Sequence, residues 1–338
     1  MARLTTTQGP EEGPEGDKPK KAGWKAWARD FLIATLVVIV VLVAIFAYTR
    51  VWPPLVVVES ASMQHGNTES HLGVVDTGDL VFVQVAPARA DVVTYVEGRV
   101  RGYETYSDYG DVIIFRIARA PDLTPIIHRA IMYVSPNPAG GADVPDLAAL
   151  PPADWKGTTM NGQPTWDPYG LASIWIRGMG YRHDLNITFD LDTFVGDYGQ
   201  AGYITMGDNN AYDRCRTLDP CGPSVPYDEQ WFPSQGDLIG HARGEIPWFG
   251  LIKLLVSPTG SCAQGWGDPC APANSWSSLA LGLVALAVLP FALEAALWTW
   301  GKYAWPYLRP RLPYFKDRPP PGGKGGKKEP GAADEDDA

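Results

Sequence analysis

Two uninterrupted apolar runs frame the chain: Phe31 to Tyr48 (FLIATLVVIVVLVAIFAY) and Trp276 to Leu293 (WSSLALGLVALAVLPFAL), neither carrying a charge. The hydrocarbon layer of a bilayer is roughly 30 Å thick and a helix rises about 1.5 Å per residue, so about 20 apolar residues make one crossing. With their flanks both runs reach that length, which predicts transmembrane helices over residues 30–50 and 276–300. The first run is longer than the apolar core of a cleaved signal peptide, and no A-x-A site follows it, so it reads as a retained anchor. The second is apolar on all its faces, unlike the one-sided helix of a soluble domain.

Between the runs the pattern changes to short β-branched and aromatic stretches split by Gly, Pro and Asp: LVVVES, DLVFVQV, DVVTYVEG, DVIIFRIA, PIIHRAIMYV, NITFDLDTF, GYITMG and LIGHARGEIPWFG. These read as strands and turns, and their spacing predicts a mainly β domain of coiled antiparallel sheet over residues 51–275, with loops carrying the polar chemistry. A Pro- and Gly-rich break after Ser135 is long for a connection, so roughly 135–200 reads as an inserted subdomain. Residues 1–29 and 301–338 are rich in Pro, Gly and charge; they read as tails that cannot bury enough apolar surface to fold alone.

Charge adds an orientation. Lys18, Lys20, Lys21, Lys25 and Arg29 precede the first run, and Lys302, Arg309, Arg311, Lys316 and Arg318 follow the second. Basic residues beside a span stay on the cytoplasmic side, so both termini are expected in the cytoplasm and the domain between the spans outside it. Residues 51–276 hold 26 Asp and Glu against 13 Lys and Arg, which disfavours nucleic acid as a partner. All four cysteines lie in the outer segment, and pairing Cys215 with Cys221 and Cys262 with Cys270 would close two short loops. The tight spacing of a zinc site is absent, and no metal or cofactor is implied. Asn186-Ile187-Thr188 is an N-glycosylation acceptor on that side.

Three pieces of the outer segment carry candidate chemistry. Ser60-Ala61-Ser62 ends the strand-like LVVV run, and in extended chain the two hydroxyls point the same way, so one can attack while the other donates. A serine needs a base, and no lysine occurs between Lys25 and Lys156. Five histidines remain, His65, His71, His128, His183 and His241, of which His128 alone sits in a dense apolar strand that can hold an imidazole in one orientation. Gly207-Asp208-Asn209-Asn210 reads as a turn by composition and offers a carboxylate to orient the histidine.

In this order and on this layout the pieces resemble type I signal peptidases of the archaeal and endoplasmic-reticulum (Ser-His) branch. Ser60-Ala61-Ser62-Met63 resembles the S-x-S-M box, and Gly78-Asp79-Leu80-Val81-Phe82 and Gly110-Asp111-Val112-Ile113-Ile114-Phe115 resemble the family's G-D strands. Ile127-His128-Arg129 resembles the [IV]-H-R box, Gly207 to Asn210 the G-D-N-N box, and Gly240 to Gly250 the closing segment. The resemblance covers most of residues 52–255. It implies Ser62 as nucleophile, His128 as general base, and Ser60 with the Ser62 backbone N–H as oxyanion hole. The orienting acid it implies is Asp208 or Asp213, with Asp219 more distant.

Departures are the missing Pro after Met63 and a polar insertion, GNTESHLGVVDT, before Gly78. They leave His65 and His71 as nearby competitors for the base. The implied activity is membrane-bound removal of signal peptides from secretory preproteins, with the lipid bilayer and the translocation machinery as partners. Two other readings remain: a self-cleaving Ser-Lys peptidase, against which the spans and the lysine gap count, and a catalytically inactive membrane-anchored scaffold or binding protein.

Overall fold

The computed structural model describes residues 24–304 apart from 118–122, 216, 217, 219, 222–230, 259–261 and 263. Helix α1 (Trp24–Thr49) carries the first apolar run. Its 26 residues extend about 39 Å, and its Leu, Val, Ile and Phe side chains stand exposed around the helix. Water does not tolerate so large an apolar surface; lipid does. The helix ends against the folded domain: Thr49 is buried, its carbonyl accepts from the Val85 N–H at 2.9 Å, and the Tyr48 carbonyl accepts from Gln84 at 3.1 Å.

Beyond it, β1 (Leu55–Val57) pairs with β2 (Leu80–Gln84). Helix α2 (Tyr95–Arg101) starts at a reciprocal cap in which Thr94 Oγ1 accepts from the Glu97 N–H and the Glu97 carboxylate accepts from the Thr94 N–H. A small hairpin, β3 (Glu104–Thr105) with β4 (Asp108–Tyr109), leads into β5 (Val112–Phe115), whose four residues are all buried. The long β6 (Ile126–Pro136) follows. Next come β7 (Ala142–Asp143), β8 (Trp155–Thr159), β9 (Pro164–Thr165), β10 (Leu171–Met179) and β11 (Leu185–Asp190). Helix α3 (Leu191–Tyr198), β12 (Gly202–Met206), α4 (Asp208–Cys215), β13 (Leu238–Ile246) and α5 (Leu251–Val256) complete the domain.

Among the described residues eleven strands form one sheet in the order β1-β2-β13-β5-β6-β7-β10-β8-β9, with β11 added on β10 and β12 on β6. Every ladder between named strands is antiparallel. Among the described residues the fold is thus mainly antiparallel sheet with six α-helices. Residues 135–200 hold β7 to β11 and α3, and they continue the sheet from the end of β6. Their apolar residues Ile174, Ile176, Phe189 and Phe194 share one core with Ile131 and Met132 of β6, Tyr95 of α2, and Ala211 and Tyr212 of α4.

Both G-D motifs do the same local work. Gly78 and Gly110 adopt φ of +94° and +77°, which an L side chain rarely reaches, and a Cβ on Gly110 would stand 2.5 Å from the Tyr95 nitrogen. The aspartate after each glycine then ties down main chain: Asp79 accepts from the N–H groups of Asp76 and Trp248, at 2.8 and 2.9 Å, and Asp111 accepts from that of Val93 at 2.9 Å. Asp111 also takes Arg243 at 2.7 Å and the Tyr103 hydroxyl at 2.8 Å; burial pushes its carboxyl up, but His241, Arg243 and the Val93 N–H bring it down to about 2.

The second apolar run is α6 (Ser275–Thr299). Its first turn packs into the domain, where Trp276 and Leu279 meet Leu251 and Leu254 of α5 and the Cys262–Cys270 disulfide. Beyond that turn its large apolar side chains are exposed. Among the described residues α1 and α6 are the two helices long and apolar enough to cross a membrane.

Candidate active site

The chain from β1 reaches Ser60 in extended conformation and then tightens into a single 3₁₀ turn, Ala61–Met63. Two neighbours fix that turn. Met63 is buried among Val58, Val75, Val81 and Val83, and Gln64 is buried with its Oε1 accepting from both the N–H and the hydroxyl of Thr77. The turn leaves the Ser60 and Ser62 hydroxyls 3.2 Å apart, with Ser60 exposed and Ser62 half-buried. The hydroxyl pair therefore meets by way of a turn, not because both residues lie in one strand.

His128 lies near the start of β6, opposite Ile113 of β5, with only 6% of its surface exposed. On its other side β6 pairs with β12 in a register that sets Met206 against Arg129. The residue that follows β12, Gly207, therefore emerges level with His128. A Cβ on Gly207 would stand 2.6 Å from the Ser62 carbonyl oxygen and 3.0 Å from His128 Nε2. Glycine is needed there because the serine turn, the imidazole and the β12 backbone converge on one point.

At Asp208 the chain does not make the expected turn but starts α4, which packs on the serine turn. The helix forms because the buried carboxylate at its first position is matched by a cation: Asp208 takes Arg129 in a two-pronged grip, Nε to Oδ1 at 2.9 Å and a terminal nitrogen to Oδ2 at 2.6 Å. Arg129 is fully buried, and its remaining N–H groups donate to the carbonyls of Thr105, Asp108, Tyr109 and Gly110. Burial pushes the Asp208 carboxyl up, but Arg129 and His65 hold it well below the usual carboxylate range. Asp108, 3.8 Å from Arg129, goes the other way, to about 6, because burial and the Asp208 charge outweigh the cation.

Of the other acids, Asp213 is exposed on α4, and Asp219 lies outside the described residues. Among the competing histidines, His71 is exposed beside Glu69, whereas His65 binds Asp208 through Nε2 at 3.0 Å and stacks on Tyr181 with ring centroids 3.8 Å apart. The two lysines between the spans are away from this role: Lys156 is exposed on β8 and Lys253 forms an ion pair with Glu59. Cys215 pairs with Cys221, closing the segment after α4, and Cys262 pairs with Cys270. Asn186 sits half-buried on β11, where its side-chain oxygen accepts from the Gly178 N–H at 3.4 Å.

A groove of about 500 Å³ runs between the strand that leads to the serine turn and the strand that leads to His128. Leu55, Val56 and Val57 of β1 form one wall, Leu123, Pro125 and Ile127 the other, with Glu59 and Lys253 beside them. β1 ends the sheet order, so among the described residues one side of it has no strand partner. The site thus offers a hydroxyl pair, a nearly buried imidazole and an apolar groove beside a free strand edge. Sequence reading brought out Ser60, Ser62, His128 and Asp208 but not the parts played by Arg129, His65, Tyr181 and Lys253; for Arg129 the signal was available, as the residue next to His128 on a strand that pairs with the strand before Asp208. No family model matches the chain, and no curated protein matches it.

Proposed function

We propose that the chain is a membrane-anchored serine endopeptidase of the signal-peptidase type, removing signal peptides from secretory preproteins with Ser62 as nucleophile and His128 as general base. The observation that carries this reading is the convergence at Gly207, where the Ser62 main chain and His128 Nε2 each lie within about 3 Å of one point. The Ser62 hydroxyl adds to the scissile carbonyl carbon while His128 takes its proton. The Ser60 hydroxyl and the Ser62 N–H donate to the oxygen that becomes negative. Collapse breaks the C–N bond, His128 returns the proton to the leaving amine, and water then hydrolyses the Ser62 ester by the same route in reverse.

The groove supports a substrate laid extended along β1, where backbone hydrogen bonding to the strand edge combines with apolar walls. Two membrane helices would keep the site close to substrates that are themselves embedded in lipid, raising their effective concentration. Charge at the chain ends supports a site on the extracytoplasmic face, where preproteins leave the translocation machinery.

The test is cleavage of a preprotein bearing an A-x-A site by the full chain in lipid nanodiscs, with the new N-terminus read by mass spectrometry. Ser62→Ala and His128→Ala are expected to lower the rate by at least about a thousandfold, and His128→Lys not to restore it. Cleavage by Ser62→Ala at the wild-type rate would sink the proposal.

A further inference from the structure

The catalytic scheme has no place for His65, yet this residue is held more tightly than a loop histidine needs to be. Its side chain is only 14% exposed and its Nε2 meets Asp208 Oδ2 at 3.0 Å. The ring lies flat on Tyr181, 3.8 Å between centroids and 6° between planes, and the Tyr181 hydroxyl donates to the His65 carbonyl at 3.2 Å. Tyr181 therefore fixes both the ring and the main chain of His65. It comes from the turn between β10 and β11, far along the chain, so two segments outside the recognisable boxes meet at the centre of the site.

The loop behind His65 is also clamped. Ser70 donates its N–H to Asn274 at 2.7 Å and accepts from the Trp248 indole at 2.9 Å, while the Ala273 N–H donates to the Asn67 carbonyl at 3.1 Å. Gly73 donates to Glu245 at 2.6 Å. The loop that begins at the serine turn is thus fastened to the root of α6 at one end and to Asp208 at the other.

We propose that His65 is a positioning residue of this site: it holds Asp208 Oδ2, the oxygen that Arg129 also grips, from the nucleophile loop and so fixes α4 against the turn that bears Ser62. The assignment rests on the protease reading. Asp208 is ionised beside Arg129 and can only accept, so the proton of the pair sits on His65 Nε2 and the carboxylate is bridged between two donors from different elements, β6 and the nucleophile loop. α4 packs on Ala61–Met63, so loosening Asp208 loosens the surface under Ser62. His65 is not a second base: its Nε2 is committed to a carboxylate, whereas the imidazole that faces the Ser62 main chain across Gly207 is that of His128.

The experiment uses the full chain in nanodiscs and a fluorogenic A-x-A peptide. His65→Ala is expected to lower kcat on the order of ten- to a hundredfold with KM unchanged, and to speed amide hydrogen exchange in residues 60–66 and 207–212 but not in β5 or β13. His65→Gln keeps a donor of similar reach and is expected to recover most of kcat; His65→Glu sets a second carboxylate against Asp208 and is expected not to. A His65→Ala enzyme with wild-type kcat, or a His65→Glu enzyme as active as His65→Gln, overturns the assignment while leaving the protease reading intact. Cleavage that survives Ser62→Ala overturns the protease reading itself. Should His65→Ala fail to fold, the Gln and Glu pair decides the matter alone.

Discussion

Asp208 and Arg129 face each other through two hydrogen bonds of 2.9 and 2.6 Å, both residues buried, one opening α4 and the other standing next to His128 on β6. The grip joins the strand that carries His128 to the helix that packs on the serine turn. Removing either partner leaves a buried charge uncompensated, which typically costs about 3–5 kcal/mol. Asp208→Ala and Arg129→Leu are each expected to lose about that much in chemical denaturation, while Arg129→Lys keeps the charge, loses the fork and still destabilises. Equal stability of Arg129→Lys and wild type would show that the planar geometry is immaterial.

Gly207→Ala isolates geometry from chemistry. The added methyl would press on the Ser62 carbonyl oxygen at 2.6 Å and on His128 Nε2 at 3.0 Å. Because the first contact is with backbone, the serine turn must shift, and a displacement near 1 Å at a reacting centre costs about a hundredfold in rate. The variant is expected to stay folded by circular dichroism and to lose cleavage by that order.

A pH dependence follows from two buried carboxyls, Asp76 and Asp79, and the half-buried Glu245 beside them. Burial pushes Asp76 up to about 7, with the charges of Asp79 and Glu245 adding to it; Asp79 rises to about 6 and Glu245 to about 7 for the same first reason. In the unfolded chain these groups titrate near 4. Between about pH 4 and 7 the folded protein therefore holds protons that the unfolded chain has released, and stability falls as pH rises through that window. Asp111 and Asp208, held below their ordinary values, act with the opposite sign and lose their contribution only in strong acid. Tm is expected to be lower at about pH 8 than at about pH 5, and Asp76→Asn to flatten the slope; a Tm that climbs over this range would contradict the assignment.

Each disulfide closes a short loop, with separations of 6 and 8 residues, and in the chain-entropy model stabilises by about 2 kcal/mol. Replacing Cys262 and Cys270 by serine is expected to cost that amount and also to loosen the packing of Trp276 on α5, seen as a change in tryptophan fluorescence. Replacing Cys215 and Cys221 is expected to act instead on α4. Non-reducing peptide mapping checks the pairing directly.

Much of the fold was legible in the chain because its strands are short β-branched runs with clear punctuation: Val112–Phe115 and Ile126–Pro136 fall where the GDVIIF and PIIHRAIMYV segments put them. The two long apolar helices were legible from length and the absence of charge. Gly207-Asp208-Asn209-Asn210 misled, since Gly, Asp and Asn spell a turn locally, while a helix start uses the same residue types and here is selected by a distant arginine. His65, read from the sequence as a competitor for the base, did not show its contact with Asp208 for a similar reason. Its partners, Asp208 and Tyr181, lie more than a hundred residues away and are brought to it by strand pairing, not by spacing. Lys253, remote in sequence, comes to rest against Glu59, three residues before Ser62.

The unequal fastening of the two long helices bears on reach. α1 meets the domain through a buried threonine and main-chain hydrogen bonds, whereas the first turn of α6 is set into a cluster with α5 and a disulfide, and is bound through Asn274 to the loop that begins at Ser62. A domain mounted in this way behaves like a lamp on a stiff stand, not a float on a cord. On the proposed reading, the height of Ser62 above the lipid is then a constant of the molecule, and the distance between a preprotein's apolar segment and its cleavage point becomes a measured quantity, accepted or refused by length.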